Sequence, residues 1–444
     1  MKTLLPHQIE DAQFMASKEF VGNFSGMGSG KTLTALEAFR LSRELVTDQV
    51  IIVGPPISLH MWQQEFEAFF PGDHAQWLKT GKTKIDGSAT AIICSWAIAR
   101  TRVAELRQLG ARCLILDEAH ACKNIKSKTT KAILGRNGLC SSVSKTFFLT
   151  GTPETRWHDD LFSFLCRADL PGMRARCGGA EMDRFRLRFC ITQRKQWPGA
   201  RFPVQVTVGN RNTDELNEWV FDGGLAVRRE LAEVWAAMPP LTVNHLQVQL
   251  DSDAELRAML KDLDKKTMRQ IEQEIADKSE HLATIRRRLG LAKIKHSVAE
   301  IVDRVEAGTR PILVGAWHTD VIDGLVEALT AKGIKCGIID GRTKDKAAQQ
   351  DAFNNGGIDV LVAQTAAAGV SLNLQGGSHI IEVEQDWSPS IQDQFRARCH
   401  RMGQQNHVHV DVFASDTKLD KALASIAANK RREHARVMRQ GDAA

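Results

Sequence analysis

Short apolar runs alternate with amphipathic stretches in two blocks of the chain. In the first block, the runs EFVGNF, QVIIVGP, TAIICS, RCLILD and KTFFLTG are typical of buried strands, and amphipathic stretches such as KTLTALEAFRLSREL lie between them. The second block contains PILVGA, IKCGIID, IDVLVAQ, SHIIEVE and HVHVDVF in the same arrangement. Because strands that alternate with helices form parallel sheets covered on both faces, the pattern predicts an α/β fold with two lobes.

The amino-acid composition changes between the two blocks. Residues 155–240 are rich in Arg, Trp and Gly and carry weak strand signals, whereas residues 251–308 are charged and strongly helical. The MPPL stretch at Met238–Leu241 marks a break. We predict a first lobe over residues 1–240 with a helical protrusion at about 155–235. The second lobe is predicted over residues 241–444, with a helical segment at about 251–308.

The composition is that of a globular protein, with 43% hydrophobic and 25% charged residues among 444. Nine cysteines occur without a C-x-x-C pair, which argues against a zinc ribbon and favours a reducing compartment. There is no apolar run of about 18 residues and no secretion signal, so we expect no membrane association. We expect a monomer in the cytoplasm of a bacterium or virus-infected host, or in the nucleus if the source is eukaryotic.

A glycine-rich stretch, FSGMGSGKTLTAL, follows the first predicted strand and opens a helix. Gly28 and Gly30 would let backbone N–H groups surround phosphate oxygens at a helix N-terminus. Lys31 would reach the β- and γ-phosphates, and the Thr32 hydroxyl would bind Mg²⁺. Ser25 stands where the full Walker pattern has glycine. The alternative is a glycine-rich turn without a ligand, but the strand–loop–helix context favours ATP and Mg²⁺ as cofactors.

Two carboxylates and a histidine follow the apolar run CLIL in RCLILDEAHACKN. This strand would deliver Asp117 and Glu118 to the carboxyl edge of the sheet, where ligands of doubly wound sheets bind. Asp117 would hold Mg²⁺ through water, and Glu118 would orient and deprotonate the attacking water. His120 would link the nucleotide state to the second block. Alternatively, the acids begin a helix and favour its dipole.

With these motifs the chain resembles superfamily 2 helicases, specifically the Swi/Snf family of DNA translocases, over nearly all of its length. LLPHQIEDAQFM resembles the Q-motif, IIVGPPISLHMWQQEFEAF motif Ia, IICSWAIAR motif Ib, LILDEAHACKNIKSKTTKA motif II and FFLTGTPETRWHDDLFSFL motif III. In the second block, PILVGAWHTDVIDGL resembles motif IV, and LVAQTAAAGVSLNLQGGSHIIEVEQDWSPSIQDQFRARCHRMGQ resembles motifs V and VI. The resemblance implies two RecA-like lobes that hydrolyse ATP between them. The compact chain resembles the annealing-helicase branch and is of bacterial or phage size.

The resemblance also implies roles for individual residues. Gln8 would recognise adenine, and four motif III and V residues would relay the nucleotide state to DNA: Thr150, Gly151, Thr152 and Gly369. Gln394, Arg398 and Arg401 follow the Q-x-x-x-R-x-x-R pattern. On a helix they would share one face and point at the γ-phosphate as arginine fingers. The alternative is a solvated basic helix. One departure is Ser25-Gly26, which replaces an acidic pair usual in the family.

A motor of this family tracks DNA phosphates, so it needs donors rather than base readers. The resemblance implies DNA contacts at Ser58, Ser95, His318, Thr365 and Ser371. Trp96 and Trp317 are either DNA contacts or core aromatics, and the RRE stretch at Arg228–Glu230 is either a DNA contact or an ion pair. The implied partner is double-stranded or branched DNA, with replication, recombination or nuclease proteins as further partners.

We therefore interpret the chain as an ATP-dependent double-stranded DNA translocase, a DNA remodelling motor with a role in processes such as DNA repair. One alternative is a strand-separating superfamily 2 helicase on DNA or RNA, against which the Lys-Asn extension of motif II and the CHRMGQ ending of motif VI argue. Others are a degenerate ATP-binding clamp and the motor subunit of a nuclease partner. The presence of Lys31, Glu118 and Arg398 argues against degeneracy.

Overall fold

The computed structural model describes residues 3–56, 58–154, 157–196, 202–235, 238–276, 279–365, 372–386 and 388–438. The chain divides into two compact units, one comprising Met1–Val234 with Glu433–Ala444 and the other Trp235–Arg432. Each unit is built on one parallel sheet. In the part of the chain that the structure describes, no helix combines the length and apolarity needed to cross a membrane.

The residues of the first unit that the structure describes form nine strands. They are β1 (Phe20–Asn23), β2 (Val50–Gly54), β3 (Ala75–Trp77), β4 (Ala91–Ser95), β5 (Cys113–Asp117), β6 (Lys145–Leu149), β7 (Cys190–Lys195), β8 (Val204–Asn210) and β9 (Ala226–Val227). Seven of them form the sheet, in the order β3-β4-β2-β5-β6-β1-β9 with every neighbouring pair parallel. The other two, β7 and β8, form a separate antiparallel hairpin.

Helices cover both faces of this sheet. They are α1 (Pro6–Ser17), α2 (Lys31–Ser42), α3 (Leu59–Phe69), α4 (Trp96–Thr101), α5 (Val103–Gln108), α6 (Lys128–Leu134), α7 (Phe162–Ala168), α8 (Leu170–Cys177), α9 (Met182–Phe189), α10 (Thr213–Asn217) and α11 (Leu231–Val234). Successive strand residues enter opposite cores: Leu114 and Leu116 pack on one side, and Cys113 and Ile115 on the other. Burial on both faces is why these strands are continuous apolar runs.

The second unit contains a six-stranded parallel sheet. Its strands are β10 (Leu241–Gln247), β11 (Ile312–Ala316), β12 (Cys336–Ile339), β13 (Val360–Gln364), β14 (His379–Glu382) and β15 (Val408–Ala414), in the order β10-β15-β14-β11-β13-β12. The helices are α12 (Ala254–Asp264), α13 (Met268–Ala276), α14 (Glu280–Glu306), α15 (Thr319–Ala331), α16 (Lys346–Asn354), α17 (Pro389–Arg396) and α18 (Lys418–Met438).

The predicted α/β architecture with two parallel sheets is confirmed, and each predicted apolar run contains a strand. The strongly helical stretch after residue 250 corresponds to α12, α13 and α14. Four features were not predicted: the edge strands β3, β9 and β10, and the β7–β8 hairpin inside the protrusion. The hairpin's second strand reads VQVTV, a period-two alternation that signals a strand.

Candidate nucleotide-binding site

The glycine-rich loop joins β1 to α2 as predicted. Gly28 has φ 78° and Gly30 has φ 84°, a left-handed conformation that favours glycine. The Lys31 ammonium donates to two carbonyls of the loop, those of Ser25 at 2.8 Å and Gly26 at 2.9 Å. Gly151 faces the same point, because a Cβ on it would lie 3.6 Å from Lys31 Nζ. The loop and the segment after β6 thus meet around the Lys31 amine.

The segment after β9 runs along the first half of the loop and binds its backbone. The Arg229 N–H donates to Ser25 Oγ at 3.1 Å, and the Gly26 N–H donates to the Arg229 carbonyl at 2.8 Å. The Arg229 guanidinium forms ion pairs with Glu10 and Asp11 of α1, each at 3.0 Å. The serine that departs from the Walker pattern therefore has a structural use, as the acceptor that ties the loop to Arg229.

The RRE stretch forms ion pairs in the structure. Arg228 pairs with Glu230, and Arg229 pairs with the two acids of α1. Arg229 was not predicted as part of the nucleotide site, and motif spacing gave no indication of a contact with a loop about 200 residues earlier in the chain.

Gln8 lies against the loop. Its side chain is buried, accepts from the Leu5 N–H at 2.9 Å and donates to the Gly30 carbonyl at 3.2 Å. His7 adds a contact of 3.3 Å between Nε2 and the Ser29 carbonyl. The start of α1 thus positions the backbone of the loop, and adenine recognition by Gln8 stays a prediction.

Asp117 ends β5 inside a ring of polar contacts. Its Oδ2 accepts from the Trp62 indole N–H at 2.9 Å, and the nearby Ser58 hydroxyl donates to the Pro55 carbonyl at 3.0 Å. Burial, reinforced by the adjacent Glu118, raises the pKa of Asp117 to about 6, although the hydrogen bond from Trp62 and the charge of Lys31 act in the opposite direction. Trp62 was recognised only as part of motif Ia, since a sequence does not reveal a contact 55 residues apart.

Glu118 and His120 connect the carboxylates to motif III. Glu118 adopts a left-handed conformation with φ 51° and ψ 49°, which costs a non-glycine residue of order 1–3 kcal/mol and is typical of functional sites. His120 Nδ1 lies 3.3 Å from Glu118 Oε2 and 3.2 Å from Thr150 Oγ1. Thr150 Oγ1 in turn accepts from the Thr152 N–H at 3.1 Å. The structure therefore joins the residues predicted to couple the site to motif III.

The donor set suits a hard divalent cation. Asp117 supplies a carboxylate at the sheet edge, and Thr32 supplies a hydroxyl in the first turn of α2. The described residues contain no group of three or more His, Cys, Asp or Glu side chains with metal-binding geometry. Mg²⁺ binds through few carboxylates and takes its other ligands from water and phosphate, so a site of this kind fits it.

The predicted arginine helix is corrected by the structure. α17 ends at Arg396, and the chain continues in a tight turn in which the Arg398 N–H donates to Phe395 O at 3.1 Å. The carbonyl of Arg398 accepts from the Leu374 N–H at 2.9 Å instead of a helical donor. The prediction that Gln394, Arg398 and Arg401 share one helix face is therefore wrong, because this tertiary hydrogen bond takes the backbone out of the helix.

The turn nevertheless brings the three residues together. Arg398 donates to the Gln394 carbonyl at 3.0 Å and to the Leu372 carbonyl at 3.3 Å, and Arg401 donates to the same Leu372 carbonyl at 3.2 Å. Arg396 behaves differently: its guanidinium forms a buried bidentate ion pair with Glu382 at 2.7 and 2.9 Å. Arg396 thus supports the fold, whereas Arg398 and Arg401 converge beside the end of motif V.

The described candidates for DNA contact have partners or packing inside the protein. Ser58 is buried beside Asp117, Ser95 Oγ caps α4 by accepting from the Ile98 N–H at 3.3 Å, and Thr365 is buried. The His318 ring binds Glu384 at 2.6 Å. DNA contact by these side chains stays a prediction, and Gly369 and Ser371 lie outside the described residues.

The two tryptophans also have internal contacts. Trp96 packs against the first core, and the Arg286 guanidinium lies 5.0 Å from the centre of the Trp317 ring. These contacts favour the interpretation of both as structural aromatics.

Comparison with protein-family models matches residues 7–172 to the SNF2-related domain and residues 293–403 to the helicase conserved C-terminal domain. The chain thus contains an SNF2-related domain and a helicase conserved C-terminal domain. The first match contains the glycine-rich loop and both carboxylates, and the second contains Arg398 and Arg401. The resemblance to the Swi/Snf family that the motifs indicated is confirmed by these two domains and by the relatives below.

The proteins to which the chain is similar are distant in sequence. The chain is 25% identical over 432 residues to "SWI/SNF-related matrix-associated actin-dependent regulator of chromatin subfamily A-like protein 1" of Xenopus tropicalis, covering 95% of this chain and 43% of that protein. An "Uncharacterized ATP-dependent helicase" of Mycoplasma pneumoniae is 23% identical over 430 residues, covering 91% of this chain and 39% of that protein. The chain thus spans about two fifths of the length of these relatives.

Among solved structures, the SWI2/SNF2 ATPase core of Sulfolobus solfataricus in complex with dsDNA aligns with 99% of this chain and 94% of that chain. The sequence identity is 19% and the TM-score is 0.44.

Proposed function

We propose that this chain is an ATP-driven translocase on double-stranded DNA, a DNA-dependent ATPase that tracks the duplex without separating its strands. The observation that carries the proposal is the contact of His120 with both Glu118 and Thr150. ATP hydrolysis requires a catalytic base and a phosphate-binding loop. A motor also requires a physical contact that connects the catalytic base to the rest of the lobe. The SNF2-related domain and the helicase conserved C-terminal domain support the same function.

The residues of the loop would exchange one set of hydrogen bonds for another when ATP binds. Lys31 would leave the carbonyls of Ser25 and Gly26 for the phosphates, since an ammonium forms stronger bonds to phosphate oxygens than to neutral carbonyls. Gly28 and Gly30 would present backbone N–H groups to the same phosphates. A Mg²⁺ ion held by Asp117 and Thr32 would neutralise charge on the β- and γ-phosphates.

Glu118 would accept a proton from the attacking water, and His120 would respond to the charge of Glu118. Loss of that charge would weaken the attraction between the two side chains and so alter the hydrogen bond of His120 to Thr150. Arg398 and Arg401 are proposed to stabilise the γ-phosphate in the transition state, with Gln394 beside them. An arginine fits this role because its planar fork forms several charge-assisted hydrogen bonds to phosphate.

The proposal is tested by measuring ATP turnover without nucleic acid and with duplex DNA, single-stranded DNA, forked DNA or RNA. We expect duplex DNA to stimulate turnover and the stimulation to weaken as salt rises, because phosphate contacts release counterions. The matched control is Glu118→Gln, which keeps the side-chain shape. Stimulation by RNA alone would replace the translocase with a helicase acting on RNA.

A further inference from the structure

One face of α14 carries two cationic side chains and a glycine into the interior of the second unit. Arg286, Gly290 and Lys293 are spaced four and three residues apart, so they lie on the same face of the helix. All three are buried. Charged side chains are seldom buried unless they are paired. Their partners lie mainly in residues 383–386 between β14 and α17, which we call the joining segment.

The first two contacts of α14 fix the start of the joining segment. Lys293, which is 2% exposed, donates to the Val383 carbonyl at 3.5 Å and forms an ion pair with Asp420 of α18 at 2.8 Å. One turn earlier, a Cβ on Gly290 would lie 2.7 Å from Glu384 Oε1, so the glycine leaves the room that this carboxylate occupies. The helix therefore packs directly on the joining segment.

Arg286 makes the third contact of this face. Its guanidinium donates to the Gln385 carbonyl at 2.8 Å and lies 3.5 Å from Asp386 Oδ2. The same guanidinium lies 5.0 Å from the centre of the Trp317 ring, within the range of a cation–π interaction. Trp317 is the residue directly after β11. One side chain thus contacts both the joining segment and the turn after β11.

Glu384 connects the same two parts of the chain. Its Oε2 accepts from the backbone N–H groups of Trp317 at 2.8 Å and His318 at 2.9 Å, and its Oε1 lies 2.6 Å from His318 Nδ1. Glu384 is buried, and hydrogen bonds to a carboxylate in the interior are strong. The turn after β11, which carries the predicted DNA contact His318, is therefore fixed to the joining segment.

The other end of the joining segment holds the helix that leads to the arginines. Asp386 Oδ1 accepts from the Ser388 N–H at 2.7 Å, and the Asp386 carbonyl accepts from Gln392 Nε2 at 2.6 Å. Ser388 is the N-cap of α17, and Gln392 lies within the helix. Arg398 in turn donates to the carbonyl of Gln394 in the same helix. A displacement of Asp386 would therefore be passed through α17 to Arg398.

We propose that Arg286 is a positioning residue for the turn that carries Arg398 and Arg401, an inference that rests on the proposed function for the role of these arginines. Arg286 acts through Asp386 on α17, and its contact with Trp317 couples this helix to the turn after β11. Loss of the guanidinium would release the joining segment from α14. A shift of about 1 Å in a catalytic group lowers turnover by about 10²-fold.

The test uses Arg286→Met in the full chain, which keeps an unbranched side chain and removes the guanidinium. Duplex-stimulated turnover at saturating ATP should fall by about 10²-fold, while ATP affinity is retained. The matched control is Arg288→Met on the same helix, where the arginine forms ion pairs with the exposed side chains of Asp253 and Glu255. Exposed pairs contribute little, so this control should turn over ATP as the wild type does.

A double-mutant cycle with Arg398→Ala separates positioning from a general loss of structure. If Arg286 acts through the turn that carries Arg398, adding Arg286→Met to Arg398→Ala should lower turnover much less than it does in the wild-type background. Full additivity of the two losses would overturn the proposal. Turnover by Arg286→Met close to that of wild type would overturn it as well.

A second variant guards against unfolding, because Arg286→Met leaves the Asp386 carboxylate buried beside no cation from α14. Arg286→Met combined with Asp386→Asn removes both charges and so avoids a buried unpaired charge. A melting temperature within a few degrees of wild type together with lost turnover supports the proposal, and wild-type turnover by this variant refutes it. Near-normal turnover by Arg398→Ala would instead contradict the proposed function.

Discussion

At the scale of single residues, Asp117 carries a conflict between burial and charge. Trp62 donates to its carboxylate and the charge of Lys31 favours ionisation, yet burial beside Glu118 raises its pKa to about 6. In the ligand-free protein the ionised carboxylate is therefore destabilising. A site that binds a cation together with an anionic nucleotide can contain such a group, because the bound cation would stabilise the ionised carboxylate.

Asp117→Asn should stabilise the ligand-free protein at pH 7.5. The folded-state pKa is raised from 3.8 to about 6, so the native state binds more protons than the unfolded state between these values. Stability from this group therefore falls as pH rises through that window. Thermal unfolding without nucleotide should give the variant a melting temperature a few degrees above wild type at pH 7.5, with the gap closing towards pH 4. A variant less stable than wild type throughout would contradict the burial argument.

Lys31→Ala and Glu118→Gln should separate nucleotide binding from hydrolysis. Removal of the Lys31 ammonium should weaken ATP binding, because the loop loses its charged phosphate ligand. Glu118→Gln keeps the side-chain shape but removes the base, so ATP should bind and persist while turnover falls by about 10²-fold or more. Equilibrium binding of a fluorescent nucleotide and steady-state turnover measure the two effects. Turnover by Glu118→Gln close to that of wild type would refute the role of Glu118.

At the scale of secondary-structure elements, the sequence predicted the strands and helices that a local hydrophobic pattern reveals. Central strands such as β5 and β11 are apolar because both faces are buried, so each is visible as a run. The edge strands are less regular: β9 has two residues, and β10 alternates half-buried with exposed positions. These strands form because they pair with strands that are distant in the chain, and a local sequence pattern does not reveal such pairing.

The candidate site could also be predicted only where its residues form contiguous sequence motifs. The loop at Lys31 and the acids after β5 are contiguous motifs, and the structure places them as expected. The hydrogen bond of Trp62 to Asp117, the bond of Arg229 to Ser25 and the end of α17 at Arg396 all depend on tertiary contacts. Sequence spacing alone gave the wrong geometry for Arg398, because helical periodicity was extended past a turn that Leu374 stabilises.

Arg398→Ala and Arg396→Ala should fail for different reasons, although the residues are two apart. Arg398→Ala should lose about 10³-fold or more in turnover while keeping ATP affinity, as expected for a finger that acts in the transition state. Arg396→Ala leaves Glu382 buried and unpaired, so it should lower the free energy of unfolding by about 3–5 kcal/mol. Turnover, nucleotide binding and thermal unfolding are measured on both variants.

Arg398→Lys completes this comparison. An ammonium does not reproduce the planar fork of arginine, so the lysine variant should recover little turnover. Near-normal turnover by Arg398→Ala, or unfolding of that variant in place of lost hydrolysis, would leave the turn after α17 as a basic surface without a catalytic role.

At the scale of the whole molecule, the chain leaves its first unit through a segment bound to the phosphate loop. Arg229 bonds to Ser25 and Gly26, and the first unit's main segment ends at Val234, five residues later. A rearrangement of the loop on ATP binding would therefore act on the connection to the second unit. We propose that this link and the contact of His120 with Thr150 are routes by which hydrolysis would drive movement.

The most direct test of the central claim is displacement of a third strand from a DNA triplex by the wild-type protein. A translocase that tracks duplex DNA should release the third strand in the presence of ATP and Mg²⁺ and leave the underlying duplex intact. It should not do so without ATP or with Glu118→Gln. Separation of the duplex strands, or no displacement despite duplex-stimulated ATP turnover, would contradict the account.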